Sequence, residues 1–330
     1  MDEDLTRRLV DGGDLDGLLR RIDDLCTAGD WDGLWELRDL CHEATEQGPA
    51  LWPGAANAEY RLALEGDAPH AARAVDEGDS RVALGPLAEV AASTHTWGEL
   101  APHLRPGPVR ALVAYERALR GEDLRADRSI DTSVFDLPLR VEPWEGTYPL
   151  ATYEARRAIF PTPALHELFP VRALEDPGRP TADLLATDAL AELTRPWTTE
   201  SNGRGDVVGV EGDHLDAIAA LGLASARAGR ITPDAALELL AWTAASGGAH
   251  GRRRGMAAGR FNAWWVVAAV SGLADDWPVE PDAVGDAAAR LEWFAWDTDE
   301  PPAGWSFRIA VVDPLHSLAW AAMANDQRLE

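Results

Sequence analysis

Two consecutive segments near the N-terminus carry one pattern, and that repeat narrows the fold more than any other feature of the chain. Gly13-Asp14-Leu15-Asp16-Gly17-Leu18 is echoed by Gly29-Asp30-Trp31-Asp32-Gly33-Leu34, and each unit then closes on Asp-Leu-Cys. In each, an aspartate stands where its carboxylate can accept the free N–H groups of a helix start. Behind the first, Leu15, Leu18, Leu19, Ile22, Leu25 and Cys26 recur at helical spacing, and Gly29 supplies a stop. A helix with a single apolar stripe needs a neighbour to cover it, so the repeat predicts stacked short helices. The pattern continues with helices predicted over 55–65, 69–76, 85–92 and 108–120, separated by Gly or Pro.

Over residues 1–122 this arrangement resembles helical-repeat architecture of the HEAT or TPR kind, which implies successive helical hairpins. The unit lengths match no named repeat consensus. The stretch from His250 to Trp265 is similar to uncharacterised bacterial helical proteins, a resemblance that carries no function with it.

Residues 123–205 form a Pro-rich connector or irregular subdomain, in which Pro138, Pro143, Pro149, Pro161, Pro163 and Pro170 break any long periodicity. Within it, Phe135, Leu137, Leu139 and Val141 alternate as a strand would, and Thr181 can cap a helix through Leu193. Residues 206–330 read as a Trp-rich helical domain, with helices predicted over 213–228, 233–244, 255–273, 281–296 and 314–324. One strand is predicted over 305–312, where Trp305, Phe307, Ile309 and Val311 alternate, and Val207–Val210 or Leu137–Val141 are its candidate partners. The fold class expected is mainly α, a multi-helix array or bundle with a small accessory β-sheet.

Charge excludes several functions. With 56 acidic against 30 basic residues the formal net charge is -26, which repels nucleic-acid phosphates and anionic lipid over most of the surface. All 30 basic residues are Arg, a usage that fits a high-GC bacterial genome and leaves no Schiff-base, P-loop or kinase-type lysine. The acidic N-terminus lacks the basic and apolar regions of a secretory signal, and the apolar run Phe261–Leu273 falls short of the roughly 20 residues that span a bilayer. A cytoplasmic protein with reduced Cys26 and Cys41 is expected.

No catalytic residue stands out. Cys-x-x-Cys, His-x-x-x-His, G-x-S-x-G and Walker patterns are absent, so neither a metal nor a cofactor is expected. Gly203-Arg204-Gly205 with Gly209 lacks dinucleotide-fingerprint spacing and reads as a turn.

The segment with most chemical content is His250-Gly251-Arg252-Arg253-Arg254-Gly255, continued by Arg260. Three Arg near a helix N-terminus oppose its dipole, so carboxylates of the chain, a protein partner or a small anion should compensate them. His250, Arg252, Arg253, Arg254 and Arg260 are therefore the candidate binding residues. Gly255 and Gly259 are expected to let another helix approach closely. The function expected is a non-catalytic interaction or scaffold protein with a protein partner, and a homo-oligomer is compatible with it. Two alternatives are an enzyme or binding protein for a small anion at the Arg252–Arg260 cluster, and an acidic inhibitor or nucleic-acid mimic.

Overall fold

The computed structural model describes residues 2–48, 50–78, 84–163, 169–298 and 304–327. The chain forms two compact units, Met1–Val134 with Ala151–Phe160, and Phe135–Leu150 with Pro161–Glu330.

The first unit is helical, with α1 (Asp2–Asp11), α2 (Leu15–Ala28), α3 (Trp31–Gln47), α4 (Trp52–Glu65), α5 (Ala68–Glu77), α6 (Leu87–Thr94), α7 (Trp97–Leu100) and α8 (Pro108–Leu119). A hairpin of β1 (Thr152–Glu154) and β2 (Arg157–Ile159) joins it. Asp14 and Asp30 cap α2 and α3 through the N–H groups of Gly17 and Gly33, and Gly29 ends α2 in the left-handed conformation. The apolar stripe of α2, Leu18, Ile22 and Leu25, is fully covered. Gly54 lets α4 settle on its neighbours: a Cβ there would lie 3.2 Å from the Cys41 sulfur.

The second unit is built on a seven-stranded sheet in the order β3-β6-β7-β8-β9-β5-β4. Its elements are β3 (Val171–Ala173), β4 (Arg179–Pro180), α9 (Leu184–Thr199), β5 (Arg204–Glu211), α10 (His214–Ala220), β6 (Ser225–Ile231), α11 (Pro233–Ala245), α12 (Met256–Val270), α13 (Pro281–Arg290), β7 (Glu292–Asp297), β8 (Trp305–Asp313) and β9 (Leu318–Asp326). All neighbouring strands run antiparallel. On one face α10 packs, with Ile218 buried among Val210, Phe294, Ala310 and Ala321. Helices α9 and α11 pack against the sheet as well, and α12 packs against α9 and α11.

Helix outweighs strand, but a sheet of this size is no accessory, and the fold mixes helix and sheet. The strand predicted at 305–312 is present as β8, and Val207–Val210 belongs to the same sheet, with β9 between them. The helix predicted at 314–324 is instead β9. Its alanines favour a helix in isolation, yet Ala319, Ala321 and Ala322 are buried together with Trp320, and the small alanine side chains suit a central strand covered on both faces. The predicted helices 213–228 and 281–296 each stop early and give way to β6 and β7. The alternation at 135–141 forms no strand. No helix among the described residues is long and apolar enough to cross a membrane.

Candidate functional site

Arg260 projects from α12 where Gly259 presses onto α11, since a Cβ on Gly259 would collide with the Ala241 carbonyl oxygen. The expected close helix approach is thus made at Gly259, whereas Gly255 is the N-cap of α12, with φ 93°. The Arg260 guanidinium is 1% exposed. Its Nε donates to Glu145 Oε2 at 2.7 Å and its Nη2 to Glu145 Oε1 at 2.6 Å. Nη1 donates to the Pro138 carbonyl at 2.8 Å and Nη2 to that of Arg140 at 2.7 Å. Glu145 also accepts the Trp264 indole N–H at 2.7 Å, the Tyr148 hydroxyl at 2.5 Å and the Glu142 backbone N–H at 2.7 Å. Burial alone would lower the Arg260 pKa, but the Glu145 carboxylate outweighs it and holds the arginine above its ordinary value. Every nitrogen of this guanidinium is engaged, and the cluster ties the 135–150 loop to α12.

The other sequence-predicted residues line up along α9. Arg254 lies 3.3 Å from Glu192, the backbone N–H of Arg252 donates to Glu200 at 3.3 Å, and that of His250 donates to Ser201 Oγ at 3.0 Å. Arg253 is also partnered, while His250 and Arg252 are exposed. Arg260 therefore serves the loop, and His250, Arg252 and Arg254 meet the last turns of α9 and the residues just after it.

A second arginine cluster, which sequence reasoning passed over, surrounds a cavity of about 510 Å³ in the first unit. Helices α2 and α4 wall it, Ala155 and Arg156 at the β1–β2 turn border it, and Leu19, Ala56 and Leu84 give it apolar lining. Tyr60 holds the hairpin in place by donating to the Glu154 carbonyl at 2.6 Å, and Tyr153 donates to the buried Glu89 at 2.7 Å. Arg61 donates to Asp23 at 2.6 Å and to both oxygens of Glu65 at 2.8 and 3.0 Å. Asp23 also accepts Arg156. Partial burial would raise the Asp23 carboxyl, but the two arginines outweigh it and hold it below its usual range. Burial pushes the Cys26 thiol up to about 12, against the opposing pull of Arg61, and burial pushes Tyr60 to about 12 as well.

Among the described residues, the side chains of Arg20, Asn57 and Asp16, all lining this cavity, make no hydrogen bond or ion pair. The signal for them in the sequence is faint: Asp16, Arg20 and Asp23 on α2, and Asn57 and Arg61 on α4, look like ordinary solvated helix faces. No group of three or more His, Cys, Asp or Glu among the described residues is arranged to hold a metal ion. The neighbouring polar stretch Ser93–Trp97 is structural, with Thr96 and Glu99 forming a capping box and Thr94 donating to the Leu64 carbonyl at 2.8 Å.

Fold and sites define a two-unit protein that combines a helical unit with a helix-covered antiparallel sheet. The chain belongs to the DUF6183 family, described as a family of unknown function, which it matches over residues 16–327. No curated protein and no solved structure matches it.

Proposed function

We propose that this protein is a non-catalytic binding protein whose N-terminal unit takes up a small organic molecule bearing an anionic group. The observation that carries the proposal is the pair of unclaimed donors, Arg20 and Asn57, facing a cavity of about 510 Å³. That volume lies within the roughly 300–1,000 Å³ typical of small-molecule sites, and such sites combine apolar walls with a few convergent polar groups. Arg20 supplies a guanidinium fork for a carboxylate or phosphate, Asn57 a further donor, and Leu19, Ala56 and Leu84 a surface for the apolar body. Asp16 stands ready for a cationic group on the same ligand.

Binding suits the groove better than proton transfer does. The lining Asp23 and Tyr60 are displaced away from neutrality, Asp23 downward and Tyr60 to about 12, whereas a general acid or base works best near the operating pH. A cytoplasmic setting with reduced cysteines belongs to the same reading.

Titration calorimetry with citrate, glutamate and inorganic phosphate tests it. At least one should bind the wild-type chain, with Arg20→Ala and Asn57→Ala each weakening affinity about tenfold, or about 1.4 kcal/mol, at unchanged melting temperature. Unchanged affinity in both variants would reject the groove. A protein partner is the second reading. It is favoured by Leu84, Ile159 and Phe160, which stay 41%, 48% and 40% exposed on or beside the β1–β2 hairpin. Loss of a co-purifying protein on Ile159→Asp, with ligand binding intact, would support it.

A further inference from the structure

Strand β5 has one edge that the sheet uses only at its far end. Along the other edge β5 pairs with β9 over its whole length, from Arg204 opposite Asn325 to Glu211 opposite Leu318. On the outer edge β4 covers only Val210 and Glu211, with one more hydrogen bond from the Thr181 N–H to the Gly209 carbonyl. That bond fixes the direction of the backbone: in an antiparallel strand alternate residues turn their N–H and C=O to the same side, so Gly205 and Val207 face outward with Gly209. Open edges of this kind are templates for another strand, and proteins usually guard them with proline, inward charges or a covering loop. Pro180 guards only the far end, at Val210.

The side chains flanking Gly205 give the edge a self-complementary code. Arg204 and Asp206 are exposed, and among the described residues neither side chain has a hydrogen bond or an ion pair. Laid antiparallel against a second copy about a two-fold axis at Gly205, each Arg204 stands opposite the other copy's Asp206. The Gly205 backbones then exchange hydrogen bonds at the centre. A two-fold contact of this type satisfies both copies at once and closes on itself. We infer that β5 pairs edge to edge with β5 of a second copy of this chain, centred on Gly205 and set in register by the Arg204 and Asp206 pairs. Opposite charges directly across a strand pair are favourable and like charges unfavourable, so the register is specified as well as the partner. This contact is independent of the ligand groove.

Sedimentation velocity from 5 to 200 µM, values chosen as roughly the window of weak strand-edge association, tests it. The wild-type chain should show a dimer whose share grows with concentration. Arg204→Asp and Asp206→Arg should each sediment as monomers, because each sets like charges across both contacts. Mixed together, the two variants should form a heterodimer, and the double variant that exchanges the two charges should dimerise alone. Circular dichroism on each variant confirms that the monomers are folded. A wild-type chain monomeric throughout, a dimer indifferent to both single reversals, or variants that fail to pair on mixing would each overturn the inference.

Discussion

Arg260 and Arg61 are both buried guanidinium groups bound by carboxylates, and what surrounds them differs. Around Arg260 the donors and acceptors close on one another: Glu145 and two backbone carbonyls engage every guanidinium nitrogen, and Trp264 and Tyr148 complete the Glu145 carboxylate. Around Arg61 the pairing is as tight, but beside it runs a cavity with Arg20, Asn57 and Asp16 unclaimed. A closed network fixes one arrangement of the chain. An open one leaves spare donors, so equal ion-pair chemistry yields a clasp in one unit and, on the binding function proposed above, a receptor in the other.

The largest effect should come from opening the clasp. Glu145→Ala leaves Arg260 charged and buried without its partner, at a cost of about 3–5 kcal/mol, and thermal unfolding should fall by roughly 10 °C. Gly259→Leu comes next: its side chain meets the Ala241 carbonyl and Ala245, and overpacking of this kind costs about 1–3 kcal/mol by urea unfolding. Arg61→Met should cost about 1–2 kcal/mol, because Asp23 keeps Arg156. In that variant the Asp23 carboxyl should titrate at higher pH than in the wild type, as carboxylate NMR would register. Arg20→Ala should leave stability within about 0.5 kcal/mol and act on ligand affinity alone. If it destabilises the chain as Glu145→Ala does, the contrast between the two clusters fails.

The smallest effect concerns pH. His70, bonded to Asp67 at 2.5 Å and Asp32 at 3.1 Å, tends to be lowered by burial, but the two carboxylates outweigh it and raise its pKa above 6.5. A group raised in the folded state contributes fully below its unfolded value and loses that contribution as pH rises through the folded value. Stability should therefore decline slightly from about pH 6 to 8 in the wild type and less so in His70→Asn, by urea titrations at each pH.

The tandem N-terminal helices were readable because capping and periodicity are local, and Asp14 and Asp30 sit where their spacing put them. Strand β8 was readable from alternation. Strand β9 was not, since alanine carries helix propensity wherever it stands, and only burial between other layers turns Leu318–Ala324 into strand. The Arg252–Arg260 segment was legible as a place needing compensation, and the carboxylates of Glu192 and Glu145 supply it to Arg254 and Arg260. The groove was hidden for a different reason: its residues come from α2, α4 and the hairpin turn, spread from Asp16 to Arg156, and no local pattern marks them.

Hydrogen-exchange mass spectrometry with and without the best-binding acid tests the contrast most directly. Exchange should slow in peptides from 15–28, 52–65 and 152–159 and stay unchanged over 250–262. Slowing over 250–262 with no change in the helical unit would contradict it.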